Sequence, residues 1–233
     1  MAKPDYIDSI DGAVERVLAE LPDEIVLGTP LGIGKPNPFL NALYRRIKAE
    51  PTRRLKLLTA LSLQKPTGAS ELEQHFLEPF VARVFCDYPD LDYVKDSRAG
   101  QLPPNIEVQE FFLKVGDYLD NAAAQQAYIS TNYTQVARDL ARLGVNVIAQ
   151  AIAARDDGET LRLSLSSNTD VTAELAERLR QRGQRFLLIG VINRQLPFMP
   201  NAAEVAPDFF DLIVTDSAGT HALFAPPNMK VAA

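Results

Sequence analysis

Cysteine and histidine are scarce in this sequence of 233 residues, which contains one cysteine, Cys86, and two histidines, His75 and His221. A single cysteine excludes both an intrachain disulfide and a cysteine-based zinc site. The two histidines are far apart in the sequence and lack the spacing of metal ligands, and no His-Glu-x-x-His motif is present. We therefore predict no metal site, and we predict that Cys86 is a small buried hydrophobic side chain.

Long apolar runs and an excess of basic residues are also missing. No stretch of eighteen apolar residues occurs, and the N-terminus lacks the apolar core of a signal peptide. The sequence therefore predicts a cytoplasmic protein with no membrane partner. Acidic residues outnumber basic residues by 30 to 24, which gives a net charge of −6. This balance argues against a general nucleic-acid-binding function.

The familiar catalytic and nucleotide-binding motifs are absent as well. The sequence contains no Gly-x-Ser-x-Gly nucleophile motif, no P-loop and no Gly-x-Gly-x-x-Gly fingerprint. Paired carboxylates do occur, but they lie in predicted turns or on the wet faces of predicted helices, and we interpret them as solvated charges. These pairs are Asp156-Asp157, Asp90 with Asp92, and Glu71 with Glu73. We therefore predict no catalytic residue in this chain.

The most informative segment comprises residues 25–38, where a short apolar run ends in a loop with three glycines. A helix is predicted to follow, with Asn37 as its N-cap and Pro38 at its first position. A strand, a glycine-rich loop and a helix in this order bring backbone N–H groups close to phosphate or to a developing oxyanion. The loop is equally consistent with a plain turn between a strand and a helix. Its candidate ligand contacts are Gly28, Gly32, Gly34, Lys35 and Pro36.

Two later loops, residues 164–170 and 193–200, also follow predicted strands. Ser166 and Asn168 lie in the first loop, whose N–H groups and hydroxyls could hold a carboxylate or phosphate, or could simply cap a helix. Asn193 begins the second loop, which suits a ligand with polar and apolar parts but is also an ordinary loop composition. His221 follows another buried strand, at the position where α/β sites form, although a turn residue is the plainer interpretation.

Hydrophobic periodicity defines the predicted elements. Helices are predicted over residues 6–20, 38–49, 69–86 (divided at Pro79), 119–127, 134–143 and 171–182, and strands over 24–27, 55–63, 145–153, 159–165, 186–191 and 212–215. Residues 87–115 are predicted to be loops with a short helix. The first two strands flank a helix, which predicts a right-handed parallel unit, whereas 145–153 and 159–165 predict an antiparallel hairpin. The predicted fold class is α/β, with an open, mainly parallel sheet flanked by helices.

A family resemblance rests on several segments and on their order along the chain. These segments are residues 26–36 with 39–43, 104–108 through 132–134, 143–150, 164–170, and 191–193 with 198–200. Together they resemble the N-terminal domain of the acetyl-CoA hydrolase/transferase family, the class I CoA-transferase relatives that include 4-hydroxybutyrate CoA-transferase. The resemblance covers nearly the whole chain. One departure is that Ser167 and Asn168 stand where the family commonly has glycine beside its serines.

The resemblance implies that residues 1–233 form one CoA-transferase-like lobe and that the catalytic C-terminal half is absent from this chain. That half would be supplied in cis or in trans. The complete protein would move CoA between an acyl-CoA thioester and a small carboxylate such as acetate, or water, through a glutamyl-CoA intermediate on the other half. CoA would then be a substrate, with no separate cofactor, and this fragment alone would be inactive. Its CoA-binding residues would be Gly28, Gly32, Gly34, Lys35, Pro36, Ser166, Asn168 and Asn193.

Two alternatives remain at this stage. One is a sugar-phosphate isomerase of the same broad architecture, which would need an internal acid–base pair near a phosphate loop. The other is a non-catalytic module that pairs with another chain. In the leading interpretation the three loops cluster and expose an apolar patch toward the missing half, through which the isolated chain could also form a homo-oligomer. The predicted patch consists of Leu31, Ile33, Leu196, Phe198 and Met199.

Overall fold

The computed structural model describes residues 3–21, 23–156, 158 and 161–221. Its strands are β1 (Asp5–Ile7), β2 (Glu24–Gly28), β3 (Arg54–Thr59), β4 (Ile106–Glu110), β5 (Val147–Asp156), β6 (Leu161–Ser164), β7 (Leu187–Ile192), β8 (Glu204–Val205) and β9 (Leu212–Val214). Its α-helices are α1 (Ile10–Glu20), α2 (Asn37–Lys48), α3 (Glu71–Val84), α4 (Asp92–Arg98), α5 (Ala122–Gln126), α6 (Val136–Arg142) and α7 (Asp170–Gln181).

The strands β1-β9-β7-β5-β2-β3-β4 form one sheet in that order, and all neighbouring pairs in this series are parallel. The interior strand β7 is buried along its whole length, as expected for a parallel strand with helices on both faces. Helices α1, α2 and α4 contribute to the core on one face, and α6 and α7 contribute to the core on the other. The predicted α/β class with an open, mainly parallel sheet is confirmed.

A small antiparallel extension projects from the middle of this sheet. The C-terminal part of β5 pairs antiparallel with β6, and β6 pairs in turn with β8. This arrangement confirms the predicted hairpin; residues 157, 159 and 160 of its predicted turn and second strand lie outside the described residues. Because β6 runs back along β5, its end returns to the carboxyl-terminal edge of the parallel strands.

Several predicted elements differ from the structure at the two ends of the sheet. Residues 5–7 form a parallel edge strand beside β9 rather than the start of a helix, and α1 begins only after Ser9, whose side chain accepts a hydrogen bond from the Gly12 amide. Strand β3 ends at Thr59 instead of residue 63. Strand β4, within the segment predicted to be mostly loops, is the opposite edge of the sheet.

The helices also depart from the predictions in part. Helix α3 continues through Pro79 as one helix; its surface is exposed, so water can bind the carbonyl that proline leaves without an N–H donor. Cys86, after this helix, is exposed rather than buried and has a positive φ of 45°. Helix α5 is shorter than predicted. None of the helices in the described part of the chain has both the length and the apolar character needed to cross a membrane.

Gly190 in β7 provides a test of the central packing. A Cβ atom at this position would lie 2.7 Å from Ile152 Cδ1 and 3.0 Å from Phe210 Cε1, so the Gly190→Ala variant must displace core atoms. We expect it to lose about 1–3 kcal/mol of unfolding free energy in urea titrations, as overpacked cores do. Gly28→Ala is the matched control, because its Cβ would approach no closer than 3.3 Å, to Val145. A larger loss for Gly28→Ala would contradict this packing.

Candidate functional site

Three loops meet at the carboxyl-terminal edge of the sheet. The Asn168 side-chain amide donates a hydrogen bond to the Leu31 carbonyl at 3.3 Å, which joins the loop after β6 to the glycine loop. Ser166 Oγ donates to the Pro197 carbonyl at 2.8 Å, and Ser164 Oγ donates to the Met199 carbonyl at 2.7 Å. The predicted clustering of residues 28–36, 164–170 and 193–200 is confirmed, and we call this assembly the three-loop cluster.

A buried glutamine, which the sequence did not single out, holds part of this cluster in place. Gln150 lies in β5 and donates hydrogen bonds from Nε2 to the carbonyls of Leu165 and Asn168, at 3.0 and 2.8 Å. Thr29 Oγ1 donates to the Ala149 carbonyl at 2.9 Å. Side chains and carbonyls of one central strand therefore position both the glycine loop and the loop after β6.

The glycine-loop candidates occupy different environments. Gly28 faces the core, against Val145 and Leu175. Gly34 packs against Asn168, whose Oδ1 would lie 2.6 Å from an added Cβ. Gly32 has a positive φ of 56°, and open space lies beyond its Cα. Of these three glycines, only Gly32 leaves room for a ligand beside the backbone.

The other candidates of the cluster are largely engaged in holding its own loops. Pro36 is the N-cap residue of α2, one residue before the predicted cap. Ser166 and Asn168 are buried. Asn193 is also buried, and its Oδ1 accepts hydrogen bonds from the Gln195 and His221 amides. Binding of CoA by these residues stays a prediction, since their described contacts are with the chain itself.

The prediction that the five apolar loop residues are exposed is wrong for most of them. Leu196 is buried with Ala151 and Ala153, and Ile33 and Phe198 pack against this small core. The Phe198 ring also contacts two guanidinium groups, with distances from its centroid of 4.6 and 5.4 Å. Leu31 packs against the main core, and only Met199 of the five is exposed. The loops fold onto one another, so Leu196 is buried and Leu31, Ile33 and Phe198 are partly buried within the lobe.

Lys35 points away from the three-loop cluster into the interior. Its Nζ donates hydrogen bonds to the carbonyls of Ala60 and Leu61, the latter at 3.2 Å. The side chain is fully buried, and burial lowers its pKa from 10.5 to about 7, against the opposing effect of the Glu110 carboxylate. Lys35 therefore anchors the glycine loop to the end of β3.

A second set of polar side chains lies at the ends of β3 and β4, in the direction in which the Lys35 side chain points. Ser62 Oγ donates a hydrogen bond to Glu110 Oε1 at 2.7 Å and lies 2.7 Å from the Tyr93 hydroxyl. Burial raises the pKa of Glu110, and the neighbouring ammonium of Lys35 opposes this shift. Burial also raises the pKa of Tyr93 well above its ordinary value. We call Lys35, Ser62, Tyr93 and Glu110 the Glu110 cluster.

The Glu110 cluster borders a cleft of about 540 Å³, a size typical of small-molecule sites. Ser62, Glu110 and Phe80 of α3 all line the cleft. Leu61, which also lines it, has a positive φ of 44°, a strained conformation for a bulky residue that is found preferentially at functional sites. Buried titratable groups beside a cleft are a further indication of a functional site.

Sequence reasoning missed this site because residues 87–115 were predicted to be irregular. The available signal was the apolar–polar alternation of residues 106–109, which is followed by Glu110 at the carboxyl end of β4. His221 lies beside the three-loop cluster rather than in the Glu110 cluster. It is buried, its amide donates to Asn193, and its ring packs edge-on against Tyr88 with centroids 5.8 Å apart.

Comparisons with family sequence models and with curated protein sequences find no match, whereas solved structures do match. RipA from Yersinia pestis superimposes with a TM-score of 0.58 at 15% identity, over 91% of this chain and 42% of its own. A RipA variant gives a TM-score of 0.60 at 17% identity, over 95% and 43%. The 4-hydroxybutyrate CoA-transferase from Porphyromonas gingivalis gives 0.50 at 13% identity, over 93% and 40%.

This chain has the fold of one CoA-transferase lobe. The expected lobe architecture is thereby confirmed, and the likeness at this identity concerns the fold alone. The CoA-transferase-like lobe spans less than half the length of the solved structures that it matches. Both the three-loop cluster and the Glu110 cluster lie at the carboxyl-terminal edge of its sheet, where open α/β proteins bind their ligands.

The depressed pKa of Lys35 predicts a distinct dependence of stability on pH. Between pH 7 and 10.5 the unfolded chain binds more protons at Lys35 than the folded chain does, so stability rises with pH in this window. We expect the unfolding free energy of the natural chain to increase, relative to Lys35→Met, by up to about 1.4 kcal/mol per pH unit. Urea titrations of both proteins at pH 7, 8 and 9 measure this difference; a difference independent of pH would contradict the assignment.

Proposed function

We propose that this chain is one lobe of an acyl-CoA transferase or hydrolase. The complete protein would move CoA between an acyl-CoA thioester and a small carboxylate such as acetate, or water. The observation that carries this proposal is the fold: more than nine-tenths of the chain matches structures that include a 4-hydroxybutyrate CoA-transferase, while covering about two-fifths of their length. The order of the resembling sequence segments supports the same conclusion.

The proposed division of labour follows from the chemistry of thioesters. Attack on an acyl-CoA requires a nucleophile, here a glutamate carboxylate on a second lobe, and N–H donors that stabilise the developing oxyanion. The glycine loop of this chain would form a wall beside the thioester, because space is open beside Gly32. Its Gly32 and Gly34 amides donate to the carbonyls of Leu61 and Leu31, so the oxyanion donors would come from elsewhere in the complete site. The remaining loops of the three-loop cluster would hold the glycine loop in position and form the wall of the CoA site.

The Glu110 cluster would give this lobe a second region that contacts a bound molecule. Its cleft opens at the same sheet edge, and the Glu110 carboxylate and the Ser62 hydroxyl can exchange hydrogen bonds with a bound molecule. We do not assign the nucleophile to Glu110, because Ser62 hydrogen-bonds its carboxylate and only about 7% of the residue is exposed. Glu110→Gln is therefore the variant that distinguishes a catalytic carboxylate in this lobe from one supplied by another lobe.

Thermal denaturation with CoA, acetyl-CoA and a sugar phosphate tests the binding part of the proposal. We expect CoA and acetyl-CoA to raise the melting temperature, because a ligand that binds only the folded state stabilises it. Gly32→Val should lose this shift, since its side chain would fill the open space. Gly183→Val is the matched control: it has a similar positive φ of 64° and open surroundings, so it carries similar backbone strain outside the three loops.

The same preparations test the catalytic part of the proposal through release of the CoA thiol. We expect no turnover by this chain alone, with or without acetate, because the nucleophile is on the other lobe. Thiol release that Glu110→Gln abolishes would instead place the nucleophile here. A shift with the sugar phosphate alone would favour the isomerase alternative, and no shift with any compound would favour a non-catalytic module.

A further inference from the structure

The antiparallel extension carries two arginines on the face that it turns toward the three-loop cluster. Side chains alternate between the two faces of a strand, so Ala151, Ala153 and Arg155 share one face of β5. The two alanines pack against Leu196 in the small apolar core of the cluster, and Arg155 continues that face beyond the core. Arg162 of β6 lies directly opposite Arg155. Like charges at directly opposite positions destabilise a pair of strands, so a compensating negative charge is expected.

The chain itself neutralises only one of these two arginines. Arg162 Nε and Nη2 donate hydrogen bonds to the two carboxylate oxygens of Glu204, both at 2.7 Å. Arg155 is exposed and has no carboxylate partner in the part of the chain that the structure describes. Its neighbour Asp156 lies on the opposite face of the strand, and the Asp156 carboxylate accepts a hydrogen bond from the Gly158 amide. One positive charge therefore remains uncompensated on the face toward the cluster.

The Phe198 ring positions the Arg155 guanidinium. The guanidinium carbon of Arg155 lies 4.6 Å from the centroid of this ring, and that of Arg162 lies 5.4 Å from it. Contact with an aromatic ring orients a guanidinium and leaves N–H donors at its edge for a ligand. Phe198 packs against the same small core as Ile33 of the glycine loop. The guanidinium is therefore attached to the three-loop cluster rather than projecting independently of it.

A second exposed arginine follows the adjacent strand. β7 pairs with β5 through Ile192 and Ile152, and Arg194 comes two residues after this pair. Its side chain is exposed and, within the described ranges, it has no carboxylate partner either. Neighbouring strands therefore carry two uncompensated guanidinium groups at one rim of a protein whose net charge is −6. Local cationic groups of this kind attract anions even when the whole protein is acidic.

We propose that Arg155, oriented by Phe198, binds a phosphate group at the rim of the three-loop cluster. The guanidinium fork matches two oxygens of a phosphate and binds them through parallel hydrogen bonds. A diphosphate carries more negative charge than a carboxylate, which favours it at a rim that also holds Arg194. The phosphate can belong to inorganic pyrophosphate or to a larger ligand. The larger ligand is CoA, bound through its diphosphate, and this assignment of the source rests on the proposed function.

Titration of the full chain with pyrophosphate, followed by the NMR signals of the arginine side chains, tests the site. We expect the Arg155 signal to shift on binding and the dissociation constant to increase at least about tenfold in Arg155→Gln, because charge-assisted hydrogen bonds are lost. The matched control is Arg182→Gln, which removes an exposed arginine after α7, just before β7 begins and thus at the opposite edge of the sheet. Absence of binding, or equal weakening by the two substitutions, overturns the proposal.

Parallel titrations with CoA and with pantetheine, which lacks the phosphates, identify the source of the phosphate. We expect Arg155→Gln to weaken the binding of CoA about tenfold and to leave the binding of pantetheine unchanged. CoA binding that is insensitive to Arg155→Gln would overturn the assignment to CoA, although the proposed function would stand. Pyrophosphate binding that depends on Arg155, in a chain that does not bind CoA, would support the phosphate site and contradict the proposed function.

Discussion

The buried ammonium of Lys35 connects the two polar regions at the carboxyl-terminal edge of the sheet. It originates in the glycine loop and donates to the carbonyls of Ala60 and Leu61. The Gly32 amide donates to the same Leu61 carbonyl at 3.3 Å, and the Leu61 amide donates to the Phe112 carbonyl at 2.8 Å. This series of contacts extends from the glycine loop, through the end of β3, to the segment after β4. Without Lys35, the buried Ala60 carbonyl would lose this donor, at a cost of about 1–3 kcal/mol, whereas the part-buried Leu61 carbonyl would keep the Gly32 amide.

Burial of this lysine also affects the chemistry of its surroundings. The interior disfavours the charged ammonium, and the same interior disfavours a charged Glu110 carboxylate. Each group opposes the other's shift, so the charge state of one influences the charge state of the other. Ser62 and Tyr93 complete the arrangement by hydrogen bonding, and they keep the carboxylate at the border of the cleft. The titratable Glu110 carboxyl therefore lies at the same edge of the sheet at which the parallel topology places the three loops.

The parts of the fold that the sequence predicted are those dictated by local pattern. Continuous apolar runs identified β2 and β7 because strands buried on both faces need no polar alternation. The clustering of the three loops followed from the parallel arrangement, which places the ends of all such strands at one edge. The hairpin followed from alternation in Leu161, Leu163 and Leu165 beside an Asp-Gly turn.

The remainder depended on contacts between distant residues. The direction of the Lys35 side chain could not be predicted, because a lysine in a glycine loop can face a ligand or the interior. Glu110 was missed because its partner Ser62 is 48 residues away and because β4 is a short edge strand after two prolines. The apolar loop residues were predicted to be exposed because periodicity does not show how loops fold onto one another. Helix α3 is the opposite case. Its apolar residues recur every four positions, as they do in a core helix, yet Leu72 and Phe76 face water.

Direct titration of the Lys35 side chain tests the central role of this buried ammonium. Lysine Cε and Nζ resonances respond to protonation, and the Lys35 signal can be identified by its loss in the Lys35→Met spectrum. We expect a midpoint near pH 7 for this one lysine, because burial lowers its pKa from 10.5 to about 7. A midpoint at or above 10 would contradict burial of Lys35, because desolvation disfavours the charged form and lowers the pKa of an enclosed lysine.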